Sequence, residues 1–201
     1  MVRTARKLTP KGVATRERIV QGAAELLRER GIEGTTLDDV GRVTRTSRSQ
    51  LFHYFPDGRN ALLLAVAEHE ADRVIEDQQP YLGQLSTFRS WLDWRDVVVE
   101  RYRALGDTCP LGALLQQLGR DDPASRPMVR TMMANWAAAL ADGIRRTQAL
   151  GEAPADLDAD QAATALLAGL QGGVVLMLST GETKHLEAAL DLGLRQLRPP
   201  D

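Results

Sequence analysis

Twenty-one consecutive residues of this 201-residue chain, Gln161 to Gly181, carry no charge. A run of that length and polarity has two physical outlets. It can cross a bilayer, which takes about 20 apolar residues as a helix, or it can be covered by protein on more than one side. This run contains Thr164, Gly169, Gln171, Gly172, Gly173, Ser179 and Thr180, follows Asp156, Asp158 and Asp160, and precedes Glu182. It lacks the flanking positive charge and aromatic belt of a membrane span. Burial in protein is therefore the reading, and the rest of the chain must supply the helices that cover it.

The remaining segments do read as helices. Ile19, Ala23, Leu26 and Leu27 recur at helical spacing in a first helix over Val13 to Arg30, ended by Gly31 and Gly34. Thr36 opens a short helix to Val43, with Asp39 as an imperfect capping box, and Ser47 caps another that reaches Tyr54. Pro56-Asp57-Gly58 is a turn. The spacing then predicts helices over Arg59 to Asp77, Thr87 to Leu105, Leu111 to Leu118, Ala124 to Leu150, Ala159 to Ser179 and Thr183 to Leu197. Gln78 to Gln84 and Gly151 to Asp158 read as breaks. No strand alternation and no repeat interrupts this pattern, so the fold class is all-α with about nine helices.

Charge divides the chain. Met1 to Phe55 holds 11 Lys/Arg against 6 Asp/Glu, and the remainder 14 against 21, although the net charge is only −2. A basic head on an acidic body fits a head that meets a polyanion. Arg3, Arg6, Lys7 and Lys11 make the first residues a basic arm. A single cysteine, Cys109, excludes an intrachain disulfide, and His53, His69 and His185 show no metal-ligand spacing, so neither metal nor cofactor is expected. The N-terminal residues hold no apolar signal core, which makes the cytoplasm the expected compartment.

Thr36 to Phe55 has the proportions of a helix-turn-helix, and its polar residues suit a major groove. Arg48 can donate two parallel hydrogen bonds to guanine O6 and N7, and Gln50 can pair with adenine N6 and N7. Thr36, Thr46, Ser47, His53 and Tyr54 offer donors at helix ends, as phosphate contacts require. Leu51, Phe52 and Phe55 are too apolar for that front and are expected to pack inward.

The run from Thr15 to Leu63 resembles the DNA-binding domain of the TetR family of bacterial repressors. The resemblance rests on Gly31 and Gly34 before Thr35-Thr36, on Ser47, on Leu51-Phe52-His53-Tyr54-Phe55, and on Arg59 opening the next helix. It implies that Arg48, Ser49 and Gln50 meet bases or nearby phosphates, and that Thr36, Ser47, His53, Tyr54 and Arg59 contact phosphates. Two departures stand out. The turn usually reads Ala-Gly-Val-Ser but here is Thr44-Arg45-Thr46-Ser47, so either Arg45 takes the left-handed conformation of the usual glycine, at a cost of roughly 1–2 kcal/mol, or the turn differs. A common tyrosine is replaced by Phe52. The resemblance implies a DNA-binding domain over residues 1–56 and an effector-binding and dimerisation domain over 57–201.

For the second domain, Leu166, Leu170, Val174 and Met177 form a large apolar stripe beside a small one of Ala165, Gly169 and Gly172, and Leu186, Leu190, Leu194 and Leu197 give the last helix a matching face. Two such helices per chain can pair with their symmetry mates as a four-helix bundle, so these residues are the expected homodimer interface. The same stripes could instead be intrachain core. Phe88, Trp91, Trp94, Val98 and Tyr102 on one helix, with Met132, Met133, Trp136 and Leu140 on another, are bulky and adaptable, as ligand-pocket linings are. An ordinary core accounts for most of them equally well. The expected pocket comprises Trp91, Val98, Tyr102, Cys109, Leu114, Met132, Met133, Trp136, Leu140, Leu170 and Val174. Cys109 to Leu114 resembles the LmrA/YxaF-like subgroup, which implies a hydrophobic or aromatic effector. Together these readings imply a cytoplasmic repressor that binds a palindromic DNA operator as a dimer and is released by a small molecule. An alternative is a thiol sensor built on Cys109, at a helix start where a cysteine can be reactive. No nucleophile-base pairing, metal spacing or phosphate loop supports an enzyme.

Overall fold

The computed structural model describes residues 8–106 and 126–198. Eight α-helices form there, and no strand occurs among the described residues: α1 (Pro10–Arg30), α2 (Leu37–Val43), α3 (Arg48–Tyr54), α4 (Arg59–Glu76), α5 (Phe88–Leu105), α6 (Arg126–Ala149), α7 (Ala159–Thr180) and α8 (Lys184–Arg195). The all-α class stands. The expected helix over Leu111 to Leu118, together with Cys109 and Leu114, lies outside the described residues, as does most of the basic arm. Two compact units divide the chain, Met1–Glu70 and Ala71–Asp201.

In the first unit α1 starts one turn earlier than its periodicity indicated. Thr9 caps it by accepting from the Gly12 amide, and Pro10 occupies the first turn, where its missing N–H costs nothing. Ile19, Ala23, Ala24 and Leu26 pack with Val40, Leu51, Phe55, Leu62 and Val66 in the core of this unit. The unit ends inside α4 rather than at the Pro56 turn, because the first half of α4 belongs to this core. Leu62 and Leu63 line the same small cavity as Ala23, Leu27 and Val40. Farther along α4, Glu70 is buried and holds Arg28 of α1 at 3.3 Å.

The second unit is built on α5 to α8, with Leu82 and Leu85 of a short 3-10 turn (Leu82–Gln84) filling its base. Thr87 and Ser90 form a capping box that starts α5, and the Phe88 amide donates to Glu152 at 2.8 Å, tying the α6–α7 link to the start of α5. Asp158 caps α7 through the Asp160 and Gln161 amides, and Gly181, with φ at 73°, ends it in the left-handed conformation. α7 and α8 approach closely. A methyl group at Gly173 would lie 2.5 Å from the Leu186 Cα, so only glycine allows this crossing. Arg95 and Arg103 of α5 reach Asp191 (2.9 Å) and Glu187 (3.1 Å) of α8.

α7 alone among the described helices is long and apolar enough to cross a membrane by length and composition. Its large residues Leu166, Leu170, Val174 and Met177 are instead buried in this unit's core, together with Leu186, Leu190 and Leu194 of α8 and Leu197 just past its end. Within one chain, these eight residues of the expected interface are already covered. They pack between α7, α8, α5 and α6. Gly169 is half-buried against Ala189, and Gly172 alone of that expected set faces open space.

Candidate nucleic-acid interface

Two short helices need strong ends, and both have them. Thr36 Oγ1 accepts from the Asp39 amide at 3.2 Å while Asp39 Oδ2 accepts from the Thr36 amide at 3.1 Å. The box that looked imperfect in sequence is complete. The Thr36 hydroxyl's hydrogen bond, then the Thr36 amide and Arg42, hold the Asp39 carboxyl below its ordinary range. Ser47 and Gln50 repeat the arrangement at α3: the Gln50 amide donates to Ser47 Oγ at 3.3 Å, and Gln50 Oε1 accepts from the Ser47 amide at 3.1 Å.

The turn between the helices is tight. The Thr46 amide donates to Gly41 O at 2.9 Å, and a methyl at Gly41 would lie 2.9 Å from Thr46 O. Glycine at 41 thus lets α3 lie against α2. Arg45 takes φ of 49°, the one positive φ at a non-glycine among the described residues. The left-handed conformation that the sequence comparison raised is the one adopted.

Burial sorts the expected DNA-contact residues. Ser47, Arg48, Ser49 and Gln50 are exposed around the first turn of α3, His53 is exposed one turn on, and Arg45 is exposed at the turn. Tyr54 is half-buried, with its ring edge-on to His53 at 5.1 Å. Thr36 is exposed beside them. Thr46 does not join this front. It is buried, and its hydroxyl donates to Thr44 O at 3.1 Å, so it serves the turn. Arg59 is half-buried and donates to Ile32 O, which ties the start of α4 to the α1–α2 link.

Phe52 corrects a second expectation. Leu51 and Phe55 pack inward, but Phe52 is 40% exposed. On a seven-residue helix position 52 falls one turn after Arg48, on the outer flank. The Arg48 guanidinium lies 6.0 Å from the centre of the Phe52 ring and 3.5 Å from the Asp38 carboxylate. Arg48 is thus flanked by a ring on one side and an anion from α2 on the other. Sequence reasoning missed Asp38, because only the crossing of α2 and α3 brings it to Arg48. Gln50 is also partly committed. Its Oε1 serves the capping box, so bidentate pairing with adenine competes with that box and leaves Nε2 as the amide's donor.

The expected pocket residues fall in the second unit. Trp91, Val98, Tyr102, Met132, Trp136, Leu140, Leu170 and Val174 are buried in one continuous core, and Met133 is half-buried against it.

Comparison with known proteins agrees with this geometry. Residues 19–66 match the family described as bacterial regulatory proteins, tetR family, and residues 85–192 match the tetracyclin repressor-like C-terminal domain. The chain is 29% identical over 177 residues to the HTH-type transcriptional repressor AcnR of Corynebacterium diphtheriae, covering 88% of each. It is 30% identical to an uncharacterised HTH-type transcriptional regulator of Mycobacterium tuberculosis, but that match spans only 55% of this chain and 57% of the relative. Among solved structures, a regulatory protein TetR from Rhodobacter sphaeroides shares the fold at a TM-score of 0.74 and 21% identity, over 90% of this chain and 98% of that one. A TetR transcriptional regulator from Chloroflexus aurantiacus does so at 0.71 and 23%, over 96% and 100%. These matches are to regulators rather than enzymes. With its helix-turn-helix complete and both parts of the chain matched, the protein belongs to the TetR family of transcriptional regulators.

Proposed function

We propose that this protein is a cytoplasmic repressor that binds a palindromic DNA operator as a homodimer and releases it when a small hydrophobic or aromatic effector enters the second unit. The carrying observation is the exposed polar N-terminal turn Ser47, Arg48, Ser49 and Gln50, with exposed His53 following, on a doubly capped α3. Arg48 donates to a guanine edge, Ser49 and Gln50 meet neighbouring base edges, and Thr36, Arg45, Ser47, His53 and Tyr54 hold phosphates. The repressor relatives of Corynebacterium support the direction of control.

Two operator half-sites need two heads, and the outer side of α7 suits their pairing. Ala165, Ala168, Gly172, Val175, Leu176 and Ser179 are exposed there without a single charge, and Val175 and Leu176 are 42% and 46% exposed. Leu192 of α8 is 61% exposed beside Ala188. Gly172 weakens its helix by about 1 kcal/mol relative to alanine, and among the described residues no atom lies close enough to require it. Close approach of a second copy accounts for it. The effector acts only through a difference in its affinity for two spacings of the paired heads. A thiol switch through Cys109 finds no support, since the chain holds one cysteine.

Selection of bound sequences from a random duplex pool tests this reading. The expected product is an inverted repeat with half-sites about one helical turn, roughly 34–36 Å, apart. Enrichment of a single unpaired half-site refutes the dimer, and no salt-sensitive enrichment refutes the DNA contact. Leu176→Asp should convert the protein to a monomer by sedimentation.

A further inference from the structure

Two carboxylates open α2, and only one of them serves its cap. Asp39 accepts from the Thr36 amide, meets Arg42 at 2.9 Å and lies 4.0 Å from Arg30 of α1. Asp38 takes no part in that capping box. It is exposed, and its Oδ1 lies 3.5 Å from Nη1 of Arg48. An exposed acid in a first turn adds only a weak helix-dipole benefit, and an exposed ion pair contributes little to folding. Against both stands a cost, because a carboxylate beside the reading helix repels the phosphates that the head must approach.

What Asp38 does touch is the guanidinium that the DNA has to recruit. Arginine carries five N–H donors in a planar fork. Asp38 takes up the Nη1 corner, and the Phe52 ring borders the group at 6.0 Å. The edge formed by Nε and Nη2 stays free of that carboxylate, and it is a parallel donor pair of the kind that guanine O6 and N7 accept. A base edge can therefore be read with the ion pair intact. Phosphates flank the groove instead of lining its floor, so a guanidinium that reaches for one leaves Asp38 behind.

We infer that Asp38 is a specificity-determining residue that acts through Arg48: it holds the guanidinium ready for a base edge and opposes its capture by phosphate. The inference rests on reading α3 as the helix that meets DNA bases. Asp38 then weakens binding to arbitrary duplex more than binding to the operator. An exposed ion pair shifts an equilibrium by up to about fivefold, so about threefold per head and about tenfold for two heads is the expected discrimination. Glu33 separates this role from plain charge. It lines the same open concavity as Asp38, Arg48 and Arg59, but the acid paired with Arg48 is Asp38. Neutralising either acid relieves repulsion from phosphate, and only the loss of Asp38 releases Arg48.

The test is the ratio of affinities for the selected operator and for a scrambled duplex of equal length and composition, read by fluorescence anisotropy with the full-length protein. Asp38→Asn should lower that ratio about tenfold, chiefly by tightening the scrambled complex. Asp38→Ser, which also suits a helix start, repeats the measurement without an amide that could itself meet a base. Glu33→Gln should tighten both complexes alike and leave the ratio unchanged. In an Arg48→Ala background, at salt low enough for both duplexes to bind, Asp38→Asn should no longer alter the ratio. An unchanged ratio in both Asp38 variants of an otherwise selective protein overturns the inference alone. So does a fall that persists without Arg48, since Asp38 then acts on the bases directly. A wild-type protein that enriches no duplex removes the reading of α3, and this inference with it.

Discussion

Replacing Arg45 with glycine should make the protein more stable and a weaker DNA binder at once. Arg45 has φ of 49° in the α2–α3 turn, and a side chain there costs roughly 1–2 kcal/mol. Glycine removes that cost, but its freer unfolded chain offsets about 0.5–1 kcal/mol of the gain. The net stabilisation is about 0–1.5 kcal/mol, or up to about 6 °C in Tm for a chain of this size. The same change deletes an exposed cation beside the reading helix. If Arg45 contacts one phosphate per half-site, the salt dependence of operator binding should become shallower by about 0.9 per head. Differential scanning calorimetry and mobility-shift titrations across a range of KCl concentrations measure the two effects. Arg45→Ala separates them, because it keeps the strained backbone and loses the charge. It should lose affinity without gaining stability. A glycine variant that is less stable than the parent refutes the strain argument, and one with unchanged affinity and salt slope refutes the phosphate contact.

Three other perturbations follow from the packing. Gly41→Ala places a methyl 2.9 Å from Thr46 O, so urea unfolding should show a loss of about 1–3 kcal/mol, with weaker operator binding as α3 shifts; unchanged unfolding means the turn has slack. Asp39→Asn should lower Tm at neutral pH, since the Thr36 hydroxyl, the Thr36 amide and Arg42 favour the ionised carboxylate. Because the folded pKa is depressed, that contribution is present above the ordinary carboxylate value and is lost as pH falls through the lowered one; a Tm gap that persists in strong acid contradicts this. Gln78→Leu takes the acceptor from Trp94 Nε1 inside the core and should cost about 1–3 kcal/mol by thermal unfolding, whereas a neutral outcome means water reaches that indole.

Helix ends were the most legible part of the chain, because caps act locally. Thr36 and Ser47 announced α2 and α3 within a residue, and Gly31 stopped α1. Periodicity was equally reliable about which residues avoid water, but silent about what covers them. Leu166 and Leu190 bear the same pattern whether a neighbouring helix or a second subunit buries them, and here the chain itself does so. The residues that do face outward, Val175, Leu176 and Leu192, fall between the stripes and were not singled out. Phe52 failed for a related reason: on so short a helix an apolar residue gains an outer position from the guanidinium above it, which composition does not reveal. Gln78 read as part of a break although it anchors Trp94, since a buried amide in a turn has no sequence signature.

The placement of the indoles also gives each unit its own optical signature. Emission excited at the red edge, where tyrosine does not absorb, arises wholly from the second unit. The edge-on pair Trp91 and Trp94, with ring centres 5.8 Å apart, should couple their transition dipoles into a distinct near-ultraviolet dichroism band. Peptide dichroism counts the helices of both units. Superimposable melting curves from the two signals mark a chain that unfolds as one cooperative piece, while an early loss of helix with undisturbed emission marks a DNA-reading head that melts first.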